Sequence, residues 1–127
     1  MALIPLNTFK TKTAILTTST TATVYVAPIG VTSIVLMAQV ANITTATHTV
    51  TFSHYRNLPV LPDFQGNGAQ SGDTYTELVK GFGVPGSDSA SMTTGKMIIE
   101  SLDSIRAYAS AEGALKITLS ILETANA

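Results

Sequence analysis

The sequence predicts an all-β protein, a single antiparallel β-sandwich of jelly-roll-like character with about eight or nine strands. Three observations carry that prediction. Polar and apolar residues alternate along most of the chain, as strands with one buried face require. Gly, Pro, Asn and Asp interrupt these stretches at roughly the 8–12-residue spacing of sandwiches. No segment keeps an i, i+3, i+4, i+7 apolar pattern through a helix-length window, and the abundant Thr, Val and Ile favour a pleated backbone.

Residues 1–10 read as an N-terminal arm, because Pro5 and Asn7 interrupt Ala2 to Phe9 ahead of the first patterned strand. Residues 11–127 read as the sandwich domain. Lys12 to Thr18 and Thr23 to Ala27 are strands rich in Thr and aliphatics, and Pro28-Ile29-Gly30 turns the chain. Val31 to Ala41 is apolar on both faces, which suits a central strand covered on each side. Asn42 to Thr47 is a polar loop. Thr49, Thr51 and Ser53 then alternate with Val50, Phe52 and His54, a strand with one inner and one outer face. From Arg56 to Asp73 the alternation stops, and Asn67-Gly68 is a strong turn signal. The segment 57–73 is therefore a long loop, which in a small domain commonly serves interaction.

Beyond it, Tyr75 to Lys80 is a strand and Gly81 to Ser87 a Gly/Pro turn. Ser89 to Thr94 reads as an edge strand, and Lys96 to Glu100 as a short apolar one. Ile105, Ala107 and Ala109 share one face of the next strand, with Arg106 and Tyr108 on the other. Finally Leu115, Ile117, Leu119 and Ile121 alternate with Lys116, Thr118 and Ser120.

Composition narrows the function. Of 127 residues, 45 % are hydrophobic but only 12 % are charged, about half the usual charged share. A subunit packed among neighbours can spare charge that a dispersed monomer needs, although a Thr/Ser-rich surface produces the same count. The formal net charge is −1 and no two of the seven basic residues are adjacent. This argues against nucleic acid, which demands clustered Lys and Arg. There is no cysteine, hence no disulfide framework and no thiol nucleophile. Met1 to Lys10 shows no signal-peptide pattern, and the longest apolar run, Ile34 to Ala41, is strand-sized. The expectation is a protein made in the cytoplasm, with no membrane partner.

Each candidate motif meets a geometric objection. Gly81-Phe82-Gly83-Val84-Pro85-Gly86 spells a dinucleotide fingerprint, but that chemistry needs a helix opening on its last glycine, and Ser87 to Thr94 is not helical in pattern. Gly95-Lys96 lacks the other residues of a phosphate-binding loop, since Ala90 and Met97 stand at the required positions. His48 and His54 lie about 20 Å apart on one strand, too far to share a metal. His54, Tyr55 and Arg56 together could contact a ligand or neighbour at a strand end. Asp63, Asp73, Asp88 and Asp103 fall in loops without the close companions of a calcium site. No Gly-x-Ser-x-Gly elbow is present. Asn42-Ile43-Thr44 is formally a glycosylation acceptor, and Asn42 is expected to close a turn. No catalytic residue, cofactor or metal is predicted, and the chain is expected not to be an enzyme.

The run Val24-Tyr25-Val26-Ala27-Pro28-Ile29-Gly30-Val31-Thr32-Ser33-Ile34-Val35, closing as Gln39-Val40-Ala41-Asn42, resembles the opening of small tailed-bacteriophage structural proteins. Gly95 to Ser110 is similar to their "Gly-Lys, apolar pair, Glu, Asp, Ile, Arg, small-residue" segment, and Leu115 to Thr124 to their last strand. Virion proteins of marine tailed phages, including cyanophages, are particularly close in style. The sequence departs from their pattern at Leu102, where Gly is common. The resemblance implies a β-sandwich virion subunit without catalysis, present in several copies: a homo-oligomer, with a trimer expected. A capsid decoration or cement protein bound to the major capsid protein is the leading expectation, with a tail, neck or baseplate accessory protein as the alternative. A carbohydrate-binding or adhesion module is the competing class, for which Tyr55, Tyr75 and Tyr108 are the available aromatic platforms. Pro59, Val60, Leu61, Pro62 and Phe64 make the loop unusually apolar and are the expected interface.

Overall fold

The structure is a computed structural model that describes residues 7–57 and 74–125. It holds nine strands: β1 (Asn7–Ile15), β2 (Thr23–Val26), β3 (Val31–Asn42), β4 (His48–Arg56), β5 (Thr74–Val84), β6 (Ser89–Ser91), β7 (Met97–Ile99), β8 (Ser104–Ala109) and β9 (Leu115–Ala125). No described residue is helical. One sheet, here sheet A, runs β1-β9-β3, and the short β6 and β7 lie along the far edge of β3. The other, sheet B, runs β2-β8-β4-β5. Every pairing is antiparallel. The two sheets pack face to face as a β-sandwich.

The alternation read from the sequence sets the core. Leu115, Ile117, Leu119 and Ile121 of β9 and Val35, Ala38 and Val40 of β3 face Ile105, Ala107 and Ala109 of β8 and Val50 and Phe52 of β4, all buried. Burying each large aliphatic or aromatic side chain here contributes about 1.5–3 kcal/mol. Because the side-chain period is two, a one-residue slip would expose this entire set.

Four elements differ from the sequence reading. β1 begins at Asn7, within the segment assigned to the arm, and pairs with β9 from Asn7↔Thr124 to Ile15↔Lys116. Residues 1–6 lie outside the described residues. β5 continues through Gly81 to Val84, where a turn was expected. Its register against β4 shifts on either side of Phe52↔Val79. Gly81 takes φ 62° at one shift, the left-handed conformation that lets a glycine sit in a bulge without ending the strand. The turn proper is Pro85 to Asp88. There a side chain at Gly86 would stand 2.3 Å from the Thr45 carbonyl oxygen. The outer residues of β4, Thr51 and Ser53, are buried. The outer face of β3 carries apolar residues that no described residue covers.

The edge strand β1 places Thr8, Lys10, Lys12 and Ala14 on the inner side of sheet A, because they oppose Glu123, Ile121, Leu119 and Ile117. Lysines pointing inward on an edge discourage pairing with another strand. Phe9, Thr11, Thr13 and Ile15 point outward.

Candidate interaction surfaces

The two ends of the sandwich are built from different chemistry. At one end the chain turns at 16–22, 43–47, 85–88 and 110–114. Asn42, 3 % exposed, is its hub. Its Nδ2 donates to the Ala46 and Val84 carbonyls at 2.7 and 2.9 Å. Its Oδ1 accepts from the Thr44 N–H at 2.9 Å and the Thr44 hydroxyl at 2.7 Å. The expected turn-closing role of Asn42 is seen directly, and the motif Asn42-Ile43-Thr44 is satisfied internally.

At the other end lie the turns 27–30 and 100–103, together with Asn7, Asn57, Thr74 and Ala125. All stretches outside the described residues therefore attach here. Asp103, 2 % exposed, accepts from Arg56 Nε at 3.1 Å and from the Asn57 N–H at 3.1 Å. Arg56 also pairs with Glu100. His54 is on the inner face, its Nε2 3.6 Å from Asp103 Oδ2, beyond hydrogen-bond reach. Beside this cluster, between the sheets, Tyr25 donates to Glu123 Oε2 at 2.5 Å, with Ser33 Oγ 2.6 Å from the same hydroxyl. Lys10 Nζ lies 2.9 Å from Glu123 Oε1. Burial, then the Glu123 carboxylate, pushes the Tyr25 phenol up to about 12. Burial would raise the Glu123 carboxyl, but the Tyr25 hydroxyl and Lys10 outweigh it and hold it below its ordinary value. Leu102 takes φ 69°, a conformation glycine adopts without strain.

The outer face of sheet B gathers three tyrosines scattered in sequence. Tyr55 opposes Tyr75, and Arg106 and Tyr108 of β8 stand on the same side. The Arg106 guanidinium lies 3.9 Å from the Tyr55 ring centre and 6.0 Å from that of Tyr75, a cation–π arrangement. Tyr75 accepts from the Ser53 hydroxyl at 2.8 Å, which explains why Ser53 is covered. An open depression of about 400 Å³ adjoins, lined by Thr20, Thr21, Tyr75, Glu77, Arg106 and Tyr108 among others.

The outer face of sheet A is different. Register places Phe9, Leu122, Ile34 and Ile98 side by side across four strands. Phe9 is 75 % and Ile98 60 % exposed. Met37 opposes Ser120 in the next row, followed by Gln39 and Thr118, then Ala41 and Lys116. Among the paired residues facing outward, Lys116 is the only charged one. An apolar row on a nearly charge-free face has the composition of an interface centre.

Of the residues singled out in the sequence, Pro59, Val60, Leu61, Pro62 and Phe64 lie outside the described residues, as do Asp63 and Asp73. Asp88 accepts the Ser89 N–H at 2.8 Å. His48 and His54 stand at opposite ends of β4. The glycines 81–86 are followed by β6, not by a helix. Among the described residues no group of three His, Cys, Asp or Glu side chains could hold a metal ion. Sequence reading places Arg106 beside Tyr108 but gives it no site role, and it passes over Glu123 and the Phe9 row; the signal for the row is the apolar outer face of β3. No protein-family model matches the chain, and no curated protein or solved structure matches it.

Proposed function

We propose that this chain is a non-enzymatic structural subunit of a tailed-bacteriophage virion, a homo-oligomeric capsid-decoration protein that works by association. The supporting observation is the outer face of sheet A, where Phe9 and Ile98 are exposed and Leu122 and Ile34 lie half-buried between them in one row. A solvated sheet face normally carries several charged residues, and among the paired outward residues of this one only Lys116 is charged. The virion assignment itself rests on the sequence resemblance, and a tail, neck or baseplate location fits the same face. The major capsid protein and tail proteins are the partners this reading implies.

The test is incorporation. Purified protein should bind particles lacking it, and Ile98→Asp should reduce occupancy at least tenfold while circular dichroism stays unchanged. Full occupancy by the folded variant would refute the role of this face. One observation favours a second reading, a saccharide-binding module: Tyr55, Tyr75 and Tyr108 share a face around Arg106. A glycan array on the isolated protein, with Tyr75→Ala as control, separates the two.

A further inference from the structure

We infer that the outer face of sheet A is covered by a second copy of this chain, related by a two-fold axis lying in the interface parallel to the strands. This deepens the association reading above and rests on it. The axis would pass between β9 and β3. It reverses the order of strands across the face while keeping rows level, so Phe9 meets Ile98 of the partner copy and Leu122 meets Ile34 of the partner copy. Each contact then occurs twice, as a two-fold interface requires.

Three observations single out a second copy as the occupant. The first is the symmetry of the row. Aromatic and aliphatic side chains stand at both its outer positions and both its inner ones. Reversal therefore sets apolar on apolar throughout, and Met37 falls on Ser120 and Gln39 on Thr118.

The second is charge. Lys116 opposes Ala41 in its own sheet, so reversal sets Lys116 on Ala41 of the partner copy and keeps the two lysines apart. A charged partner protein would find one cation here and no anion. A copy of the same face finds no repulsion.

The third is area. Strands of 11 and 12 residues flanked by one on each side give a face of roughly 35 Å by 19 Å, about 650 Å² in projection. Specific stable interfaces bury about 800 Å² of accessible surface per partner, and a corrugated face exposes more than its projection. An axis along the row would overlap only the strand ends and bury far less. The association is thus two-fold, in place of the three-fold order expected from the sequence.

Because the chain has no cysteine, engineered cysteines give a clean readout. Positions 9 and 98 are three strands apart, about 14 Å, too far for a disulfide within one chain. Under mild oxidation the double variant Phe9→Cys with Ile98→Cys should form a covalent dimer. So should a mixture of the two single variants, while neither single variant does so alone. Light scattering of the unmodified chain at about 100 µM, where even a micromolar Kd leaves most chains paired, should give twice 13.3 kDa. Ile98→Asp should return it to the monomer. A wild-type monomer, or cross-linking by the single variants alone, overturns the second copy. Should that monomer still bind particles in an Ile98-dependent way, the association reading stands with a different occupant. Should Ile98→Asp bind particles normally, both fall.

Discussion

The two ends of this sandwich solve one problem, closing the chain between sheets, by opposite means. At the Asn42 end the turns are held by an uncharged side chain with four hydrogen bonds. At the Asp103 end, two carboxylates of low exposure are held by Arg56, Lys10, a phenol and a backbone N–H. Neutral hydrogen bonds are indifferent to pH and salt. Buried carboxylates hold only while ionised and partnered. The end from which the long 57–73 segment departs is therefore the one whose closure responds to conditions.

The comparison can be broken most forcefully at its neutral pole. Asn42→Ala removes the side-chain donor to the Ala46 and Val84 carbonyls and the acceptor of the Thr44 N–H, and should cost about 3 kcal/mol in denaturant unfolding, by the same amount at pH 5 and pH 8. Asp103→Ala should cost about 2 kcal/mol. The same denaturant unfolding measures that loss.

Glu123 sharpens the contrast. Its folded carboxyl sits below the ordinary value of 4.5, so it adds stability above that value and loses it as pH falls through the folded one. Glu123→Gln should flatten that part of the acid unfolding curve, which thermal melts between pH 6 and pH 3 would show. The Tyr25 phenol works in the other direction. With its value raised from 10.0 to about 12, it contributes below pH 10 and loses that contribution on the way to 12. The smallest effect is expected at Leu102. Leu102→Gly removes a left-handed leucine costing about 1 kcal/mol but adds chain entropy, for a net gain of about 0.5 kcal/mol. A rise in denaturation midpoint measures it.

Strands whose alternation is unbroken were legible in the sequence. Leu115 to Ile121 and Ile105 to Ala109 lie inward as their period requires, since each packs against one sheet and nothing interrupts the pleat. Gly81 to Val84 misled because a glycine reads the same in a bulge as in a turn, and only pairing to His48, Thr49 and Val50 distinguishes them. Thr51 and Ser53 look solvent-facing in sequence. They are covered because neighbouring strands bring Tyr75 and Arg106 against Ser53, and Tyr108 and Gly81 against Thr51. The Phe9–Leu122–Ile34–Ile98 row could not be read from sequence, because its members meet only through register. Its one trace was the second apolar side of Val31 to Ala41, which asked for a cover that the described residues do not provide.

The inward lysines of β1 bear on how far such a protein can assemble. Among the described residues, sheet A ends at the nine-residue strand β1, which pairs with a strand on one side only, the kind of margin along which β-proteins polymerise into open ribbons. Lys10 and Lys12 would have to surrender their solvation for a new strand to dock there. Growth sideways is penalised, so the association proposed through the broad face would close as a particle of fixed stoichiometry and not extend as a fibre.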